Sequence, residues 1–129
     1  MNYAMNESNS TFPHQIKIVR SLSNYFDKII VITASNIIKG NTPDNVSIIT
    51  TNWQPGKHLR NIIRFYLVAL RVILSNRDIV VFSHMTELQS ALIAPLTRIL
   101  SIKHVLWYAH ASKSRYLIWN DFWLDASVT

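Results

Sequence analysis

The sequence predicts an α/β domain built on a mostly parallel sheet with helices on both faces. Short β-branched runs alternate along the chain with segments of helical period. Runs such as Ile29-Ile-Val-Ile32 and Ile79-Val-Val-Phe82 are apolar throughout, as strands covered on both faces are. The chain is 49% hydrophobic and only 16% charged, so its 129 residues suit a single domain, 1–129, with one core.

Taken in order, Met1 to Met5 reads as the remnant of a first strand. A helix is predicted over Phe12 to Phe26, where Ile16, Val19, Leu22 and Phe26 recur at helical spacing. Ser10 or Thr11 can cap it, and Pro13 falls in the first turn, where a missing N–H costs nothing. Lys28 to Thr33 is a strand, Ala34 to Asn45 a loop with Gly40 and Pro43, and Val46 to Thr50 a second strand. Trp53-Gln-Pro-Gly56 is a turn leading into a long helix from about Lys57 to Ser75. Asp78 to Ser83 is again a strand. Thr86-Glu-Leu-Gln89 has the spacing of a capping box, which starts a helix running towards Leu100, with a kink or break expected at Pro95. His104 to Ala109 is a strand, Ser112 to Asp121 loop and short helix, and Asp125 to Thr129 the start of one more strand. The C-terminus therefore reads as a truncation.

Composition excludes several functions. The chain has no cysteine, so disulfides and thiolate metal sites are ruled out. Glycine occurs only at positions 40 and 56, too few for a GxGxxG turn or a P-loop. Any phosphate cradle must come from small polar residues and helix N-termini. No apolar h-region opens the chain, and arginine interrupts every apolar stretch before the ~20 residues a membrane span needs. A cytoplasmic protein is expected, with peripheral contact at the inner face of the membrane as the further option. Thirteen Lys and Arg against seven Asp and Glu give a net charge of +6, which suits anionic partners. Nucleic acid is not expected, for the aromatics form no RNP-like pattern and no helix-turn-helix signal is present.

Ligands of open α/β sheets bind beyond the carboxyl ends of the strands. His84 and His110 each follow a predicted strand at that edge, and each precedes a polar helix start: Thr86 and Glu87 after the first, Ser112, Lys113, Ser114 and Arg115 after the second. Hydroxyls, helix N–H groups and cations together make an anion site. A histidine at a strand end is as readily a structural hydrogen-bonder, and both readings stay open on residues alone. No metal is expected, since neither HExxH spacing nor a carboxylate pattern accompanies the histidines. The polar segment Met5 to Thr11 reads by itself as a solvated N-cap.

From Lys57 to Arg77 there are five Lys or Arg residues and no acidic one. Lys57, Arg60, Arg64 and Arg71 project to one side of the helix, while Ile62, Phe65, Tyr66, Ala69, Val72 and Ile73 face elsewhere. The plain reading is a solvated basic face opposite a buried apolar one; the alternative is a helix lying on an anionic membrane.

Asp78-Ile-Val-Val-Phe-Ser-His-Met85, the Pro95-containing helix, and His104-Val-Leu-Trp-Tyr-Ala-His-Ala-Ser112 resemble the N-terminal domain of bacterial glycosyltransferase family 4 enzymes. Ser8 to Thr33, with His14-Gln15 opening a helix before the Ile-Val-Ile strand, resembles the start of that domain. The likeness spans nearly the whole chain in order and is strongest from Val80 to Ser112. It implies a Rossmann-like fold, the N-terminal half of a GT-B enzyme. The implied parent is a retaining hexosyltransferase that moves a sugar from a nucleotide donor to a polysaccharide or lipid-linked acceptor, without a metal.

In that family this half binds the acceptor. The resemblance makes His110 the catalytic residue beside the reacting sugar. It makes His84 and the residues Asn6, Glu7 and Ser8 substrate-binding, and Thr86, Ser112 and Lys113 are expected to join them as the anion site read from the residues. The segment around Asn6 to Ser10 stands where many relatives have a glycine-rich turn, and it holds no glycine. The half that would bind the nucleotide sugar is expected after Thr129, in cis or on a partner chain. This domain alone is therefore expected to bind no cofactor and to be inactive, since catalysis needs both halves. The alternatives are a non-catalytic acceptor- or membrane-binding subunit of a split transferase, and a non-enzymatic anion-binding or nucleic-acid-binding module.

Overall fold

The computed structural model describes residues 2–6, 14–37, 41–76 and 78–107. Their elements alternate as β1 (Asn2–Asn6), α1 (His14–Leu22), β2 (Ile29–Ile37), β3 (Val46–Thr50), α2 (His58–Ser75), β4 (Val80–His84), α3 (Glu87–Ile99) and β5 (Lys103–Trp107). All strand pairing among them is parallel: one sheet has the order β1-β2-β3 and a second the pair β4-β5. The α/β class predicted from the alternation is what the chain adopts. The chain divides into two compact units, residues 2–61 and 62 onward, with the boundary inside α2.

The first unit is built around β2. Ile29 to Thr33 pair with Val46 to Thr50 of β3. Beyond Thr33 the same strand continues against β1, with Ser35, Asn36 and Ile37 opposite Ala4, Met5 and Asn6. Residues 34–37, expected as loop, are therefore strand. Their local signal is weak because the partner that holds them is remote in sequence. The apolar face of α1 covers this sheet: Ile16, Val31 and Val46 are buried together, with Val19, Ile29 and Ile48 packed around them. Helix α1 ends at Leu22, four residues before the expected Phe26. Ser23 Oγ donates to the Arg20 carbonyl, and Asn45 Nδ2 donates to the carbonyls of Ser23 and Phe26 at 2.8 Å each. The carbonyls freed at the helix end thus find partners outside the helix, and Tyr25 is left 83% exposed.

In the second unit α3 packs on β4 and β5 through Ser90, Ala91, Ile93, Ala94 and Thr97. The helix runs through Pro95 without the expected break. Its first turn also departs from expectation. Thr86 occupies the N-cap position, yet its side chain makes no capping bond, so the T-x-x-Q spacing marks the helix start without forming the reciprocal box. The C-terminal end is closed by Leu100, whose N–H donates to the Leu96 carbonyl, and by Ile102, whose N–H donates to Thr97 at 2.7 Å.

Candidate functional site at the carboxyl end of β4

Because β4 and β5 are parallel and in register from Val80↔Lys103 to His84↔Trp107, their carboxyl ends finish side by side. His84 closes β4. It is 6% exposed, stacked on Phe82 at 6.4 Å and 16°, and meets the edge of Trp107 at 5.2 Å and 76°. Phe82 and His84 share a face because strand residues two apart do so, and Trp107 is the cross-strand neighbour of His84. The N–H of Met85 adds one more rung by donating to the Trp107 carbonyl at 3.0 Å. Met85 itself lies at φ +55°, a left-handed conformation that costs a β-carbon-bearing residue about 1 kcal/mol. Such strain persists where surrounding structure fixes the turn, and here it links His84 directly to Thr86.

Thr86 is 3% exposed, and its hydroxyl has no hydrogen-bond partner among the described residues. It stands at the N-terminus of α3, where backbone N–H groups and the positive end of the helix dipole converge. Glu87 lies in the first turn of the same helix. A carboxylate in that turn is favourably placed towards the positive end of the helix dipole.

Asn6 is the last residue of β1, paired with Ile37, and so also lies at a strand's carboxyl end. Glu7, Ser8, His110, Ser112 and Lys113 lie outside the described residues, as do the helix cap at Ser10 or Thr11, the segment Ser112 to Asp121 and the strand expected from Asp125. His14 opens α1, and Gln15 after it is 1% exposed, with neither amide atom partnered among the described residues. The basic residues Lys57, Arg60, Arg64 and Arg71 are all exposed. Among the described residues no three histidine, aspartate or glutamate side chains gather as metal ligands.

Sequence reasoning overlooked the buried His104. It is 5% exposed and lies within hydrogen-bonding distance of three hydroxyls: Ser83 Oγ at 2.8 Å and Ser90 Oγ at 3.3 Å from Nε2, and Thr97 Oγ1 at 3.3 Å from Nδ1. Thr97 gives its own proton to the Ala94 carbonyl, so towards His104 it accepts. The imidazole therefore carries its proton on Nδ1 and takes a serine proton at Nε2. Burial lowers its pKa from 6.5 to about 4, which keeps the ring neutral. A signal was present in the sequence: Ser90 and Thr97, seven apart, share the core face of α3, and a hydroxyl pair on a buried face requires a polar partner.

Comparison of the chain with protein-family models, with curated proteins and with solved structures finds no match.

Proposed function

We propose that this chain is the acceptor-side, N-terminal half of a retaining GT-B glycosyltransferase, acting with a second domain that supplies the nucleotide sugar. The observation that carries the reading is the rim at the end of β4. A histidine framed by aromatic rings, a buried hydroxyl and a helix N-terminus meet where α/β enzymes hold substrate. His110 follows Trp107 by three positions in the sequence, just past the neighbouring strand. Aromatic rings beside hydroxyl-directed polar groups suit a sugar. The orders β3-β2-β1 and β4-β5 are also runs found in the doubly wound sheet order 3-2-1-4-5-6.

In this reading His110 sits at the reacting sugar, while His84 and Thr86 orient the acceptor. Asn6, Glu7, Ser8, Ser112 and Lys113 are the further substrate-binding residues of this reading. The test begins with the gene: the frame past the codon for Thr129 is read, and the whole product is assayed with nucleotide sugars and glycan or lipid-linked acceptors. Transfer with retention of anomeric configuration is expected. His110→Ala should lower kcat by about a hundredfold, and His84→Ala should raise KM for the acceptor more than it lowers kcat. Inverted product, or unchanged turnover in His110→Ala, would sink the assignment. A stop codon after Thr129 would turn the same assay to a separately encoded partner half.

A further inference from the structure

Helix α2 carries two apolar stripes, and only one of them is buried. Phe65, Ala69 and Ile73, four residues apart, form the buried line, and the polar Asn61 continues it by one turn. Leu59, Ile63, Leu67 and Leu74 form a second line and are 73%, 51%, 58% and 63% exposed. At 3.6 residues per turn this second line occupies an arc of about 80°, and Arg60, Arg71 and Arg64 occupy the next ~40°. Lys57 continues the basic arc just ahead of the helix, and all four cations are exposed. No acidic residue occurs from Asn45 to Arg77. The solvent side of α2 is thus half leucine-like and half arginine, not the purely basic face the sequence suggests.

From this juxtaposition we propose that α2 lies in the plane of an anionic lipid bilayer, with Leu59, Ile63, Leu67 and Leu74 in the acyl boundary and Arg60, Arg64 and Arg71 on the lipid phosphates. A bilayer surface is the partner that satisfies both arcs at once: it is apolar at depth and negative at its rim, and arginine stems span the two zones. A second copy seated on the same face would bring arginine rows together. A polyanion such as nucleic acid would leave the leucines in water. No helix among the described residues is long and apolar enough to cross a membrane, so the contact is peripheral. The inference stands apart from the transferase reading, since it uses none of the rim residues.

The whole chain is tested by co-sedimentation with phosphatidylcholine vesicles and with vesicles of phosphatidylcholine and phosphatidylglycerol mixed two to one. Binding is expected to the mixed vesicles and to weaken as salt is added. Arg64→Gln with Arg71→Gln should weaken it about thirtyfold, whereas Lys17→Gln with Lys103→Gln, an equal charge loss at other exposed positions, should weaken it much less. Ile63→Ser, Leu67→Ser and Leu74→Ser together should abolish it. The chain has no cysteine, so an environment-sensitive dye on Leu67→Cys reports insertion without disturbing the arginines. Its emission should shift to the blue on mixed vesicles, while the same dye on Lys17→Cys stays unshifted. An unshifted dye at position 67, binding indifferent to the serine substitutions, or a solution dimer that those substitutions dissociate would each overturn the proposal.

Discussion

At the scale of a residue, His104 governs how the second unit responds to acid. Its folded pKa of about 4 lies below the ordinary 6.5 because burial penalises the charged ring. The unfolded chain therefore binds more protons across that interval, and stability rises with pH through it. The contribution is fully present above about pH 6.5 and drains away as pH falls towards about 4, a loss of roughly 3 kcal/mol. Urea unfolding followed across that range should show the decline. His104→Phe should flatten the component of the slope that falls between those two pH values. At neutral pH the same substitution should cost roughly 1–3 kcal/mol, since it removes the partner that Ser83 Oγ meets at 2.8 Å. An unchanged pH slope would mean that the ring titrates as it does in water.

At the scale of an element, what was legible in the sequence was type and order, and what was not was where elements end. The run Val46 to Thr50 was found with both limits because turn residues bound it. The helix from His58 to Ser75 was found to within a residue because its buried line repeats every fourth position over many turns. The extension of β2 to Ile37 was not legible, since β1 supplies its partner. The end of α1 was not legible either. It is set by Asn45, far along the chain, whose single amide group bridges two carbonyls. Asn45→Ala should cost about 1–2 kcal/mol, and Asn45→Asp more, because a carboxylate cannot donate. Hydrogen exchange should show faster opening at Ser23 to Tyr25 in both variants; unchanged exchange would mean that the turn holds itself.

At the scale of the whole molecule, the class and the parallel pairing followed from alternation, because a parallel connection must cross over and leaves its long segment in the sequence. The candidate rim was legible for the same reason: parallel strands that each precede a helix finish with their carboxyl ends at one edge. Side-chain roles at that rim were less so. His84 stands out in the sequence by position alone, while its aromatic frame depends on the cross-strand register that brings Trp107 opposite. His104 is not legible in the same way, because a histidine inside an apolar run looks like any other interior residue until its hydroxyl neighbours are in place. The change of partner at Thr33 also has a consequence in time. Below Thr33, β2 meets β3, its near neighbour along the chain; above it, β2 meets β1, which is more distant in sequence. Closing the shorter loop sacrifices less chain entropy, so β2 and β3 should zip first and β1 should dock onto a ribbon already formed. In rapid-mixing refolding, Val46→Ala should slow the folding rate, whereas Ala4→Gly should leave that rate alone and hasten unfolding. The chain would then build its first sheet against the order in which it is synthesised.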